Sequence, residues 1–152
     1  MKFIDTHTHL YLEQFSEDID TVISNSISSG IDKLFLPNIS SETTKDMLDL
    51  CKKYPKTCYA MMGLHPCDVK SESMEKELLH VEKLLEKEKF IAVGEIGIDL
   101  YWDKSTLPLQ KEAFIFQINL AKKHKLPIAI HVRDSFNEAI EIVESLNDEN
   151  LS

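Results

Sequence analysis

The length and composition of the chain predict one globular domain with a substantial core. Of its 152 residues, 43% are hydrophobic and 28% are charged, and no run approaches the ~18 apolar residues of a membrane helix. The formal net charge of −9 argues against a broad basic surface that coats nucleic acid, but it allows a phosphate substrate held by bound metal ions. Three cysteines at spacings that fit neither disulfides nor a zinc site indicate a reduced, cytoplasmic protein.

Apolar runs alternate with amphipathic segments along the whole chain. The runs predict five buried strands, at residues 3–10, 33–36, 58–63, 90–93 and 127–131. The amphipathic segments predict helices that begin near Glu17, Glu42, Met74, Pro108 and Ser135. We expect Gly30 to end the first helix, Ser135 and Glu138 to form a capping box, and Phe136 to be buried. Continuous apolar strands that alternate with helices are typical of a parallel α/β sheet.

The first predicted strand carries His7 and His9 near its carboxyl end. Residues two apart in an extended strand point to the same face, so both imidazoles can bind one cation. Neutral imidazole suits zinc, copper, iron and nickel better than magnesium alone. The alternative is a chance histidine pair at a polar edge, which the residues further along the chain disfavour.

Seven polar residues share one placement, at or just beyond the carboxyl end of a predicted strand. They are His7, His9, His65, Glu95, Asp99, His131 and Arg133. That edge carries the functional residues of barrels and open sheets alike. In an open sheet the first and fifth strands lie about 14 Å apart, too far for one metal to bind both His7 and His131. Inward-facing residues of a barrel converge on its axis, so the pattern favours a barrel.

Glu95 and His131 each have a plainer interpretation than that of a metal ligand. Glu95 could be a solvated loop carboxylate, and His131 could be a hydrogen-bonded core histidine. With His7 and His9 nearby, we interpret both as ligands of a divalent cation.

The other polar residues leave two interpretations open. His65 precedes a proline and could cap a turn, or it could contact a phosphate or substrate. Arg133 could pair with Asp134 at the surface, or its planar guanidinium could bind a phosphate with two donors. Asp99 could accept a hydrogen bond that orients a ligand histidine.

Five segments resemble, in order and spacing, the TatD family of metal-dependent DNases. They are Phe3–Leu10 (FIDTHTHL), Gly63–Pro66 (GLHP), Gly94–Asp99 (GEIGID), Gln110–Gln117 (Q-x-x-x-F-x-x-Q) and Leu126–Asp134 (LPIAIHVRD). The resemblance implies an α/β fold of the TIM-type (β/α)₈ class. It implies that His7 and His9 bind one metal, that Glu95 bridges two, and that His131 binds the second. Tyr11 stands where the family usually has an acidic or amide residue, a difference that we expect to matter little.

The resemblance also implies a reaction. It is hydrolysis of phosphodiester bonds in DNA, single strands or RNA included, by a water that two divalent ions activate. The ions are expected to be Mg²⁺ or Mn²⁺, with Zn²⁺ as the alternative. Glu95 is the expected catalytic residue, and His65 and Arg133 the expected phosphate contacts. A C–N or lactone hydrolase on the same metal scaffold is the alternative enzyme.

Chain length sets a further expectation. A (β/α)₈ barrel takes about 250 residues, so residues 1–152 are expected to form one domain with about the first five β/α units, truncated before the sixth strand. No membrane association is expected, and no protein partner beyond the remaining barrel. Alone, the chain is expected to be inactive, which leaves open a non-catalytic fragment that folds only with the rest of the barrel.

Overall fold

In the computed structural model, which describes residues 1–149 and 151, strands and helices alternate along the chain. The strands are β1 (Phe3–Asp5), β2 (Ile31–Pro37), β3 (Cys58–Met61), β4 (Val93–Asp99) and β5 (Ile128–Arg133). The helices are α1 (Ile19–Ser28), α2 (Ser41–Lys53), α3 (Met74–Lys87), α4 (Leu107–His124) and α5 (Phe136–Leu146). The alternation that the hydrophobic pattern predicts is confirmed.

Strands that follow one another in the sequence are also neighbours in space. β1 pairs with β2, β2 with β3, and β4 with β5, and every pair is parallel. A parallel bridge between Met62 and Val93 joins β3 to β4. The resulting order, 1-2-3-4-5, is that of a barrel and differs from the 2-1-3-4-5 order of an open doubly wound sheet.

The core lies between the strands and the helices that cover them. All seven residues of β4 and three residues of β2 are buried, and helices α1 to α4 each contribute apolar residues to the same core. Fully buried members include Ile23, Leu34, Leu36, Met47, Val81, Ile96, Ile98, Phe114 and Ile118. Gly30, with φ 94°, follows the end of α1, as predicted.

Two strand boundaries differ from the sequence prediction. β1 ends at Asp5, so His7 and His9 lie beyond it. β4 begins at Val93 and contains Glu95, and all seven of its residues are buried. The prediction of a strand over 90–93 was wrong because the strand begins only at Val93 and continues to Asp99, and its second half, from Ile96 on, pairs residue by residue with β5. At Gly97, where φ is 145°, a Cβ would lie 2.1 Å from the His131 carbonyl oxygen.

The start of α5 also differs from the prediction. The Ser135 hydroxyl does not cap the helix but donates to the Ile98 carbonyl oxygen at 2.6 Å. The predicted capping box was therefore wrong. Phe136 is 70% exposed, whereas Ala139 and Ile142 are the buried residues of this helix. Among the helices of the described residues, none is long and apolar enough to cross a membrane.

Candidate metal centre

The Glu95 side chain lies in the middle of four imidazoles and is almost fully buried. Its Oε2 lies 2.9 Å from His7 Nε2 and 3.3 Å from His9 Nε2. Its Oε1 lies 2.8 Å from His131 Nδ1 and 3.8 Å from His65 Nε2. Each carboxylate oxygen thus faces a different pair of histidines, which is the arrangement of a carboxylate that bridges two cations.

The donor atoms fit divalent cations. Those of His7, His9 and Glu95 lie within 4.8 Å of one another, and so do those of His65, Glu95 and His131. Around an ion with bonds of ~2.1 Å, adjacent ligand atoms lie about 3.0 Å apart in an octahedron and about 3.4 Å apart in a tetrahedron. The distances from Glu95 to His7, His9 and His131, 2.8 to 3.3 Å, match that spacing. Mixed imidazole and carboxylate donors suit transition metals better than an all-oxygen site would.

Backbone hydrogen bonds place the histidine pair, although it lies beyond β1. The Thr8 N–H donates to the Phe35 carbonyl of β2 at 3.0 Å, and the His7 N–H donates to the Asp5 carboxylate at 3.1 Å. Thr8 therefore continues the β2 pairing, and the residues on either side of it point the same way. The rings of His7 and His9 lie 5.1 Å apart, so the common direction predicted for them holds without a regular strand.

Asn38, which was not predicted from the sequence, holds the backbone of Glu95 in place. Its carbonyl accepts the Glu95 N–H at 3.2 Å. Its buried side-chain amide donates to the carbonyls of Ser40 and Gly63, each at 3.0 Å. One side chain thereby joins the loops after β2 and β3 next to Glu95.

Two histidines of the cluster have a hydrogen-bond partner that favours one tautomer. His131 Nε2 lies 2.9 Å from the Asp99 carboxylate, and Nδ1 lies 2.8 Å from Glu95 Oε1. With a metal bound at Nδ1, the bond to Asp99 would keep the ring proton on Nε2. The Tyr11 hydroxyl donates to the Pro37 carbonyl at 2.5 Å and lies 2.8 Å from His9 Nδ1. It must therefore accept from the Nδ1–H of His9. In the neutral ring, the Nε2 that faces Glu95 then carries no proton and has a lone pair for a metal.

His65 has the opposite tautomer. The Cys67 N–H donates to His65 Nδ1 at 3.1 Å, so a neutral ring carries its proton on Nε2. That N–H faces His131 Nδ1 at 3.2 Å and Glu95 Oε1 at 3.8 Å. A protonated nitrogen cannot ligate a metal, so in this tautomer His65 is a hydrogen-bond donor aimed into the centre.

Burial and charge set the ionisation of the cluster. Burial raises the pKa of the Glu95 carboxyl, but hydrogen bonds from His131 and His9 and the other two imidazoles outweigh it and hold that pKa far below its ordinary value. Burial likewise raises the pKa of Asp99, and the bond with His131 and two backbone N–H groups lower it further than burial raises it. The bond to Glu95 raises the pKa of His131. Burial lowers the pKa of His65 to about 4, so this ring is neutral near pH 7.

Two buried glutamines of α4 fix the loops that carry the site. Gln110 accepts the Asp99 N–H at 2.8 Å and donates to the Asp99 carbonyl at 3.0 Å. Gln117 makes the same pair of bonds to Leu64, at 2.7 and 3.2 Å. The two amides thus hold Leu64, which precedes His65, and Asp99, which ends β4.

Arg133 lies at the end of β5, beside the cluster. Its guanidinium carbon lies 3.6 Å from the centre of the Tyr101 ring and 5.5 Å from that of Trp102. In the described part of the chain it forms no ion pair, so the pairing with Asp134 that was one of its two interpretations is not observed.

Fold and site together define an α/β protein with parallel strands and a histidine–carboxylate cluster, a candidate metal centre, at their carboxyl ends. Comparison with known sequences gives the family. The chain belongs to the TatD family, since the family described as TatD related DNase matches residues 4–152.

Individual relatives agree with this assignment. The metal-dependent hydrolase YabD of Bacillus subtilis is 35% identical over 140 residues, which are 92% of this chain and 54% of YabD. The 3′-5′ ssDNA/RNA exonuclease TatD of Dickeya dadantii is 30% identical over 132 residues, 86% of this chain and 49% of that protein. The crystal structure of YjjV, a TatD homologue from Escherichia coli, matches with a TM-score of 0.87 and 31% identity over 94% of this chain and 55% of YjjV. The fold is thus TIM-barrel-like, and the chain spans about half the length of these relatives.

Removing the Tyr11 hydroxyl is expected to weaken metal binding. In Tyr11→Phe, His9 Nδ1 loses its acceptor, so the ring can place its proton on Nε2 and turn away from the metal. Because loss of such a partner typically costs 10- to 100-fold in metal affinity, we expect a rise in the Kd for Mn²⁺ of at least about tenfold by isothermal titration calorimetry.

The control is Tyr54→Phe. This variant removes a tyrosine hydroxyl that bonds to the exposed Asp20 and not to a residue of the cluster. Its Mn²⁺ affinity should equal that of the unchanged protein. Equal affinities in both variants would show that Tyr11 has no part in orienting His9.

Proposed function

We propose that this chain supplies the metal centre of a hydrolase that cleaves phosphodiester bonds in nucleic acid, with single-stranded DNA or RNA as substrate. The single observation that carries the proposal is the Glu95 carboxylate, which presents one oxygen to His7 and His9 and the other to His131. Relatives named as ssDNA/RNA exonucleases support the substrate class.

The metal ligands in this proposal are His7, His9, Glu95 and His131. Two divalent ions held there would lower the pKa of an attacking water and polarise a phosphoryl oxygen. Mn²⁺, Mg²⁺ and Zn²⁺ all accept such donors, and the three imidazoles favour Mn²⁺ or Zn²⁺ over Mg²⁺. Glu95 remains ionised near pH 7 and contributes the negative charge that holds the ions together.

His65 and Arg133 are proposed to bind the substrate phosphate. In the neutral His65 ring the Nε2–H points into the cluster, and a phosphoryl oxygen is an acceptor that suits it. Arg133 has one face on the Tyr101 ring, which leaves the N–H groups at the edge of the guanidinium for two parallel bonds to a phosphate.

The whole domain is proposed to be a (β/α)₈ barrel of which residues 1–152 form about the first five units. The sequential strand order and the coverage of 55% of YjjV support this. We propose a reducing compartment, the cytoplasm, because all three cysteines are free. No protein partner is proposed beyond the remaining barrel.

The test is cleavage by the protein expressed from its complete coding sequence. After treatment with a chelator, no hydrolysis of a labelled single-stranded oligonucleotide is expected, and added Mn²⁺, Mg²⁺ or Zn²⁺ should restore it. Gel analysis of product lengths measures the reaction. Metal-dependent hydrolysis of an amide or a lactone without any phosphodiester cleavage would replace the proposal with the amidohydrolase alternative.

A further inference from the structure

The geometry points to a nucleobase-stacking subsite beside the metal centre, formed by Tyr101, Trp102 and Arg133, which we call the aromatic ledge. The ledge would hold one unpaired base of a single-stranded nucleic acid against Trp102 while Arg133 contacts the adjoining phosphate. This inference rests on the proposed phosphodiesterase function and adds the means by which the substrate is selected.

The ledge exposes more aromatic surface than a folded chain ordinarily leaves in water. Trp102 is 72% exposed and Tyr101 is 53% exposed. Their rings meet edge to face, with centres 4.8 Å apart and planes at 89°. The Arg133 guanidinium covers Tyr101 at 3.6 Å but lies 5.5 Å from Trp102, so Trp102 keeps most of its surface open. Large exposed aromatic groups of this kind mark binding sites.

The ledge is fixed in place by the same carboxylate that orients a metal ligand. Asp99 Oδ1 accepts the backbone N–H groups of Tyr101 at 2.9 Å and of Trp102 at 3.4 Å. Its other oxygen bonds to His131 Nε2 at 2.9 Å. Gln110 in turn holds the Asp99 backbone at both its N–H and its carbonyl. A single buried side chain therefore separates the ledge from the metal centre, which places a bound base next to the phosphate that is cut.

Base stacking fits the charge of this chain better than a broad electrostatic surface does. The net charge of −9, with one arginine among 17 basic residues, argues against a broad basic surface that attracts a polyanion. Stacking on an aromatic ring supplies affinity that does not depend on base identity or on salt. It also requires an unpaired base, because the faces of paired bases are covered inside a duplex.

A purely structural role for the ledge makes a different prediction. If the contact of Arg133 with Tyr101 only stabilises the loop after β4, replacing Trp102 should leave substrate affinity unchanged. The two roles can therefore be separated by the substrate, with oligonucleotides of equal length and charge that either carry bases or are abasic at the positions flanking the cut.

The experiment uses Trp102→Ala and Trp102→Phe in the protein expressed from its complete coding sequence. For the oligonucleotide with bases, we expect KM to rise about tenfold in Trp102→Ala, equivalent to 1.4 kcal/mol, with kcat little changed and with recovery in Trp102→Phe. For the abasic oligonucleotide, all three proteins should have the same high KM. Tyr59→Ala is the control, because Tyr59 also lies under a cation, Lys33 at 5.3 Å, in another part of the sheet.

A binding measurement separates failure of this inference from failure of the proposed function. Trp102 is the single tryptophan of this chain, and subtraction of the Trp102→Phe spectrum isolates its fluorescence. In chelator, where no hydrolysis is expected, the oligonucleotide with bases should quench that fluorescence and the abasic one should not. Quenching without any cleavage would overturn the proposed function alone. Cleavage with equal KM values for both substrates, and no quenching, would overturn the ledge alone.

Discussion

Replacing Glu95 with glutamine is expected to abolish turnover and to lower metal affinity at least about 100-fold. The amide has nearly the same volume as the carboxylate, so the packing of this buried residue is preserved. It carries no charge, however, and only its oxygen can ligate, so it cannot bridge two cations between His9 and His131. Metal content by mass spectrometry and the rate of oligonucleotide cleavage measure the two effects, and the loss in rate should be on the order of 10³-fold or more.

The matched control is Glu86→Gln, which neutralises an exposed carboxylate of α3 whose partner is Lys123 at 3.2 Å. That variant should keep its metal and its activity, since an exposed ion pair contributes little to stability. Circular dichroism of both variants tests that each is folded. A Glu95→Gln protein with full metal content and an unchanged rate would refute the bridging role.

The placement of the candidate ligands could be predicted from the sequence because it follows from local patterns. His131 ends an apolar run that predicts a strand, and Glu95 follows another. The carboxyl ends of parallel strands meet at one edge, so the pattern alone brings these residues together. His131 Nδ1 lies 2.8 Å from Glu95 Oε1, in agreement with that expectation.

The boundaries of β4 could not be predicted, because its residues do not have the hydrophobic pattern of a strand. Gly94, Glu95 and Gly97 interrupt the apolar run, and glycine and glutamate are both poor strand formers. Pairing with β5 and the four imidazoles around Glu95 compensate for these local preferences. Such compensation comes from residues distant in sequence, and no local pattern reports it.

The support around the ligands was largely missed for the same reason. The bonds from Gln110 to Asp99 and from Asn38 to Gly63 span 11 and 25 positions, and only the folded chain brings these partners together. Tyr11 lies two residues after His9, as His9 does after His7. The alternation that predicted the histidine pair could have placed Tyr11 on their side, but no role was predicted for it. The expectation that its difference from the family would matter little conflicts with its bond to His9.

The two outer strands of the described fold, β1 and β5, differ from β4 in exposure. Every residue of β4 is buried, whereas β1 and β5 contain no fully buried residue. Ile4 on β1 is 50% exposed, and Ile130 and Val132 on β5 are 40% and 42% exposed. Strands with open hydrogen-bonding edges and exposed apolar side chains are templates for association with other chains.

Residues 1–152 expressed alone are therefore expected to self-associate and to show no turnover. In the proposed barrel, further strands would cover β1 and β5, and without them the two edges pair with other copies. Sedimentation velocity should show species larger than the 17.5 kDa monomer. Ile130→Lys places a charge on the exposed edge, so it should shift residues 1–152 toward monomer.

The same substitution tests whether β5 is exposed because the rest of the proposed barrel is absent from residues 1–152, or is exposed in the complete protein as well. In the protein expressed from its complete coding sequence, where the proposed barrel covers β5, Ile130→Lys would bury an unpaired charge and lower Tm by several degrees. The effect of Ile130→Lys is expected to be opposite in the two proteins, because the lysine lies in water in residues 1–152 and inside a packed barrel in the complete protein. A monodisperse monomer of residues 1–152 that unfolds cooperatively and cleaves an oligonucleotide with Mn²⁺ would contradict the half-barrel proposal.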